Sequence, residues 1–279
     1  MAGWILLLPI LAALLHAIWN ALVKTSGDRL ITLGFIAFTN VLTGLALLPF
    51  VDPPSQASWA FIAVSMLVKY AYYALVNLAY RVGDLSLVYP LARGFAPLAV
   101  TVGAAVLAGE YLSLPSLVGV LIACLGISSL AIRGISRLHD SLPIWLAIGS
   151  GLTIAIYTVC DGLGIRVSDS PFGFIAWIYV LELPVVLAIL WLRRRGLAHA
   201  LESHWRYGSL AGLCAVVAYA LVLIAALHAP LSIVSSLRET SVIIAALIGT
   251  VLLGERPWQD RVVASTFVAG GVALMTVYR

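Results

Sequence analysis

The chain has 279 residues, of which 62% are hydrophobic and only 10% charged, with a mean hydropathy of +1.08. Soluble domains carry roughly 25% charged residues, so too little polar surface exists here to cover a water-exposed body, and lipid must cover part of it. The net charge of +4 and pI near 9.1 do not point to nucleic acid, because the basic residues lie between apolar runs, which is a membrane-surface pattern.

The first apolar run resembles a secretory leader in hydrophobicity. It lacks a basic segment ahead of it, is followed by nine more apolar runs and holds His16, Trp19 and Asn20; it reads as a retained helix. A span needs about 20 mainly apolar residues. In chain order, spans are expected near 3–23, 30–50, 58–80, 85–108, 113–132, 143–163, 171–192, 207–227, 230–253 and 260–278. Thr25-Ser26-Gly27-Asp28, Asp52-Pro53-Pro54-Ser55 and Gly254-Glu255-Arg256-Pro257 mark short turns between them. The expected fold class is an all-α integral membrane protein with ten transmembrane helices. Cys124, Cys160 and Cys214 are odd in number and sit inside apolar runs, so they set up no disulfide framework.

Comparing the chain with itself shows two copies of one unit. Gly34-Phe35-Ile36-Ala37 returns as Gly173-Phe174-Ile175-Ala176, Ala17-Ile18-Trp19 as Ala155-Ile156-Tyr157, and Leu85-Ser86 as Leu231-Ser232. Arg93, Gly109-Glu110 and Gly126 lie 145 residues before Arg238, Gly254-Glu255 and Gly271. The expected division is 1–138 for spans one to five and 139–279 for spans six to ten. Five is odd, so the second copy enters the membrane inverted. Inverted five-helix repeats with a midplane site between them are the ground plan of many secondary transporters.

Ten spans place both termini on one side. The faces on that side hold Arg166 and Arg279, whereas the opposite faces hold Lys24, Arg29, Arg81, Arg133, Arg137, Arg193, Arg194, Arg195, Arg206, Arg256 and Arg261, two against eleven. Positive residues stay cytoplasmic, which predicts both termini outside a bacterial-type inner membrane.

Several segments resemble the drug/metabolite transporter superfamily, specifically its ten-span EamA-type members, along nearly the full chain. They are His16-Ala17-Ile18-Trp19-Asn20 with Lys24, the run from Gly83 through Tyr89 and Arg93 to Gly94, Ser236-Leu237-Arg238-Glu239-Thr240-Ser241, and the Gly-Glu pairs that end spans four and nine. The resemblance implies import or export of small metabolites such as amino acids, without a cofactor. Many members have cytoplasmic termini, and the Lys/Arg bias of this chain departs from them.

Six ionisable residues fall inside spans: Lys69, Arg93, Asp161, Glu182, Arg238 and Glu239. A charge at mid-bilayer costs about 2.5–3.5 kcal/mol on insertion scales. Lys69, Glu182 and Glu239 lie near span centres, the two arginines flank the midplane, and Asp161 lies near a span end. One reading pairs these charges with each other. The other makes Arg93 and Arg238 anchors for a carboxylate or other anion, with Lys69 a third contact and Glu182 or Glu239 a site for a substrate amine or a coupling proton. A mixed, neutral set suits a zwitterion such as an amino acid. Trp19, Tyr73, Tyr89, Tyr157, Trp177 and Tyr219, with the polar Asn20, complete the candidate substrate-binding set. Pro90 and Pro97 bracket Arg93 and free backbone carbonyls there. Gly119, Ala123 and Gly126 in span five and Ala269, Gly270 and Gly271 in span ten permit close helix contact.

The expected function is therefore a secondary transporter of a small polar metabolite, working by alternating access and acting as a monomer or homodimer. Proton symport, antiport, exchange and facilitated diffusion all fit. A receptor or scaffold that binds without moving its ligand is the alternative. A membrane enzyme is disfavoured: the histidines at 16, 139, 199, 204 and 228 make no metal-ligand spacing, and no phosphate-binding glycine loop is present.

Overall fold

A computed structural model gives the structure of residues 3–82, 85–135, 140–194, 197–252 and 258–278. A 3₁₀ turn at Gly3–Leu6 leads into α1 (Leu7–Thr25), followed by α2 (Arg29–Leu47), α3 (Gln56–Val82), α4 (Leu85–Ala108), α5 (Leu114–Ser129) and the short α6 (Ile132–Ile135). The second half comprises α7 (Leu142–Arg166), α8 (Pro171–Val180), α9 (Leu183–Leu192), α10 (Leu197–His228), α11 (Leu231–Arg238), α12 (Ser241–Leu247) and α13 (Trp258–Val277). Among the described residues, nine helical segments are long and apolar enough to cross a membrane, and α5 is a shorter apolar tenth. The all-α membrane fold expected from the sequence is the fold observed.

Local chemistry sets the starts. Asp28 caps α2 by accepting from the backbone of Leu30 and Ile31, and Ser113 and Ser170 cap α5 and α8 just ahead of prolines near their first turns. Span seven, expected as one helix, is broken at Leu181-Glu182. Pro184 has no N–H for the Val180 carbonyl and its ring crowds that carbonyl, so α8 stops there. Span nine is also broken, at Glu239-Thr240, where tight bonds run from Glu239 N–H to Ser236 and from Thr240 N–H to Leu237. The Thr240 hydroxyl takes the Leu237 carbonyl as well. Span five ends as a helix at Ser129, and α6 follows as a separate piece. Span eight starts at 197 rather than 207. No glycine or proline interrupts 197–207, and the helix continues through Glu202, Ser203 and His204 beyond the apolar stretch. The expected division between 138 and 139 lies outside the described residues.

Packing is nearly symmetric under exchange of the five-span halves. α3 packs on α7 as α1 packs on α10, α4 packs on α7 as α11 and α12 pack on α1, and α5 packs on its own mate α13. The last contact is set by glycines that face each other. A Cβ on Gly119 would stand 2.6 Å from the Gly271 carbonyl oxygen, and one on Gly271 would overlap the Gly119 carbonyl. Only hydrogen atoms fit between these backbones.

One equivalence fails. α10 packs along α2, but its counterpart α3 meets span seven through α8 and makes no comparable contact with α9. Beyond Glu182, spans three and seven separate toward the face opposite the termini. Tyr73 (40% exposed) and Leu78 (47%) on α3, and Leu183 (44%) and Leu187 (56%) on α9, stand exposed there. On the termini face the same spans are closed by an apolar cluster of Ile62, Met66, Phe174, Ile178 and Tyr179, while Ser55 and Ser58 tie the start of span three to the end of span six by donating to the carbonyls of Val167 and Gly164.

Gly271→Val should destabilise the protein by about 1–3 kcal/mol, as overpacking does, because backbone rather than a movable side chain blocks the new methyls. A lower melting midpoint in detergent, with Gly270→Ala nearly silent since nothing lies within 4 Å of its Cβ position, is the expected outcome.

Candidate functional site

Four of the six membrane-embedded charges form two ion pairs. Lys69 on α3 meets Asp161 on α7, Nζ to Oδ2 3.0 Å, with side chains 9% and 1% exposed. The Tyr219 hydroxyl on α10 donates to the same carboxylate oxygen. The ammonium also lies over two rings, 4.6 Å from the centroid of Tyr219 and 5.4 Å from that of Tyr157. Carboxylate on one side and aromatic faces on the others replace the hydration of the cation.

Arg93 on α4 meets Glu239 at the break in span nine, Nη2 to Oε2 3.0 Å, and Nη2 also lies 3.4 Å from the Ser241 hydroxyl. Glu239 is adjacent to Arg238 in sequence, yet it is engaged by the arginine of the other half. Arg238 itself is 6% exposed, makes no ion pair among the described residues, and its Nε and Nη2 have no hydrogen-bond partner. It faces a small cavity of about 10 Å³ bounded by Asp161, Thr158, Tyr219 and Leu231. Asp161 Oδ1 and the Thr158 hydroxyl are likewise without partners. That volume has room for a single water.

Glu182 is 9% exposed and sits between α8 and α9. Asn40 Nδ2 on α2 donates to its Oε2 at 2.7 Å. It makes no ion pair among the described residues. The preceding carbonyl, that of Leu181, accepts from the Tyr70 hydroxyl of α3.

The remaining candidates divide. Tyr89 stands close enough to Arg93, Arg238 and Glu239 to feel their charges, and Tyr73 stacks beside Tyr72, 5.8 Å between centroids, at the opening between α3 and α9. Three others make their contacts with neighbouring residues. Trp177 packs edge-on to Trp59 at 5.0 Å and against the apolar cluster of α3 and α8. Trp19 packs edge-on to His16, and Asn20 returns its Nδ2 to the His16 carbonyl of its own helix at 2.8 Å. Pro90 and Pro97 are both contained within α4.

Two residues were undervalued in the sequence. Asp161 looked peripheral because span six was expected to end near 163; α7 runs to Arg166, so Asp161 lies deeper. Glu110 looked like a turn marker. Gly109 adopts φ +65°, a left-handed conformation that glycine accepts without strain, and this ends α4. Glu110 is thereby aimed at Arg166, Oε1 to Nη1 2.6 Å, while its Oε2 accepts from Leu231 N–H at 2.7 Å, capping α11. Arg166 completes the clasp through the carbonyls of Ala226 and Ala229. The repeated Gly-Glu pair carried the signal; its second copy, Gly254-Glu255, lies outside the described residues.

Comparison with known proteins places this geometry. Residues 141–277 match the model of the EamA-like transporter family. The second half of the chain is thus similar to the EamA-like transporter family. The match lies in the second half, which contributes Asp161, Glu182, Arg238 and Glu239. EamA-like proteins are transporters rather than enzymes. A solved crystal structure of a protein is similar over 99% of this chain and 98% of its own, with a TM-score of 0.79 at 17% identity, a likeness that establishes the fold alone. Comparison with curated proteins gives no match.

Removing one partner of a buried pair strands the other charge, at a cost of about 3–5 kcal/mol. Asp161→Leu alone should therefore unfold at markedly lower temperature than the parent, whereas Lys69→Met combined with Asp161→Leu should recover most of the loss. Additive losses in this double-mutant cycle would show that the pair is not coupled.

Proposed function

We propose that this EamA-like protein is a secondary transporter for a small polar metabolite bearing a carboxylate or similar anionic group, an amino acid being the zwitterionic case. The observation that carries this reading is Arg238: a buried guanidinium at the break of a membrane span, without a counter-ion among the described residues, while Lys69 and Arg93 each have one. A guanidinium presents a planar fork of donors suited to carboxylate. Asp161, across the same small cavity, would accept from a substrate amine. Arg93, Glu239 and Tyr89 form the adjoining wall, and Tyr157 and Tyr219 supply aromatic surface.

Movement by alternating access is supported by the unequal packing of the halves. The cavity at Arg238 holds one water and no more, so spans must separate for a solute to reach it. Spans three and seven have already parted toward one face, while the equivalent spans eight and two have not. The Lys/Arg bias supports a bacterial-type inner membrane with that parted face cytoplasmic and both termini outside. A receptor that binds without transport has no specific observation in its favour.

In proteoliposomes screened with amino acids, organic anions and phosphonates, Arg238→Gln should weaken uptake of the solute that is moved by about 10- to 100-fold, the scale of a lost hydrogen bond to a charged group, with folding unchanged. Normal uptake in a folded Arg238→Gln protein would refute the anchor. A C-terminal reporter that is active only in the cytoplasm should be silent; a bright one would invert the orientation.

A further inference from the structure

We infer that Glu182 is the proton-carrying site of this transporter, with Asn40 as the side chain that accommodates both of its protonation states. The inference rests on the transport reading above and assigns its coupling. Of the three buried carboxyl groups among the described residues, Asp161 and Glu239 are each held by a cation at 3.0 Å. Glu182 is not; its side-chain partner is a neutral amide.

The bonding of that amide is informative. Asn40 is 7% exposed and donates its Nδ2 to Glu182 Oε2, while its own Oδ1 has no partner. A carboxylate can only accept, so it leaves Oδ1 orphaned at a depth where an unmet acceptor is costly. A carboxylic acid has an O–H, and an amide facing a carboxylic acid can both give and take a hydrogen bond. The acid form thus supplies the O–H donor that the orphaned oxygen lacks. The charged form is accommodated too: Asn40 Nδ2 bonds it, and Glu182 stands immediately ahead of α9, at the positive end of that helix's dipole. A site that must load and unload needs both forms to be tolerated.

Location agrees with this role. Glu182 sits where α9 leaves α3, at the inner end of the opening toward the face opposite the termini, and it retains some exposed surface. The neighbouring titratable groups are Lys69, Tyr70 and Tyr73 on α3, Asp161 on α7 and Tyr179 on α8. Lys69 is engaged by Asp161, the Tyr70 hydroxyl by the Leu181 carbonyl and the Tyr179 hydroxyl by the Val216 carbonyl at 2.6 Å. The chemical step is the transfer of one proton from water on one side to the Glu182 carboxylate, and its return to water on the other side after the break between α8 and α9 has moved. No covalent bond other than O–H changes.

The test uses the full chain in proteoliposomes. Infrared difference spectra across a pH titration, with glutamate carboxyls isotope-labelled, should lose one titrating labelled signal in Glu182→Gln, and in Glu182→Asp that signal should move to the unlabelled carboxyl band. An unchanged titration in Glu182→Gln would overturn the assignment. With a transported solute, a pH gradient should drive accumulation in the parent and in Glu182→Asp. Glu182→Gln, which mimics the protonated acid, should lose gradient-driven accumulation. Accumulation by Glu182→Gln equal to the parent, or a parent indifferent to the gradient, would also overturn it. If the parent moves no solute at all, the transport reading fails while the infrared titration still decides Glu182.

Discussion

A charge in the bilayer interior must be met by protein, and here five of the six embedded charges are met by the other half of the chain. Lys69 and Arg93 belong to the first five spans, and their partners Asp161 and Glu239 to the last five. Asn40 reaches Glu182, Glu110 reaches Arg166 and Asp28 reaches Arg193 across the same divide. A buried ion pair is weak support for stability, since desolvation offsets much of the attraction, but a mispaired one is expensive. The links therefore act chiefly on register. They define how the first and last five spans face each other, and among the described residues they leave Arg238 as the embedded cation without an ion pair.

Much of this was readable in the residues. Ten apolar runs, their repeat and the charges within them all follow from hydropathy and self-comparison, because lipid enforces composition over whole spans. The internal breaks were hidden for the same reason. A span that stops and restarts at Leu181-Glu182 has the apolar content of a continuous one, and only Pro184 hinted at the stop. At Glu239-Thr240 not even a proline signals it. Pairing was hidden as well. Arg238 and Glu239 are neighbours along the chain, and only the crossing of α4 beside the break shows that the glutamate serves Arg93. Among the aromatics, composition cannot separate Tyr219, which holds Asp161, from Trp177, which packs against Trp59.

The two span breaks share a logic. Each places a carboxyl residue where the run of α-helical hydrogen bonds is interrupted, so that side chain and freed peptide groups meet in one place. At the first, Tyr70 takes the Leu181 carbonyl while Asn40 takes Glu182. At the second, Ser241 and Arg93 gather around Glu239. Interrupted helices are tolerated at membrane depth only where protein or a cavity satisfies the backbone, and these breaks meet that condition with side chains of the opposite half.

The same cross-links govern how the protein is made. The first five spans leave the ribosome carrying Lys69 and Arg93 before either acid exists. During that interval the two cations face lipid, water drawn in around them, or the insertion machinery. The second half then brings Asp161 and Glu239 as the neutralising groups, in the order in which spans six and nine emerge. Membrane integration of the N-terminal half is thus provisional until the C-terminal half docks, and synthesis of the chain as a single polypeptide keeps the two at high effective concentration through that exposed stage.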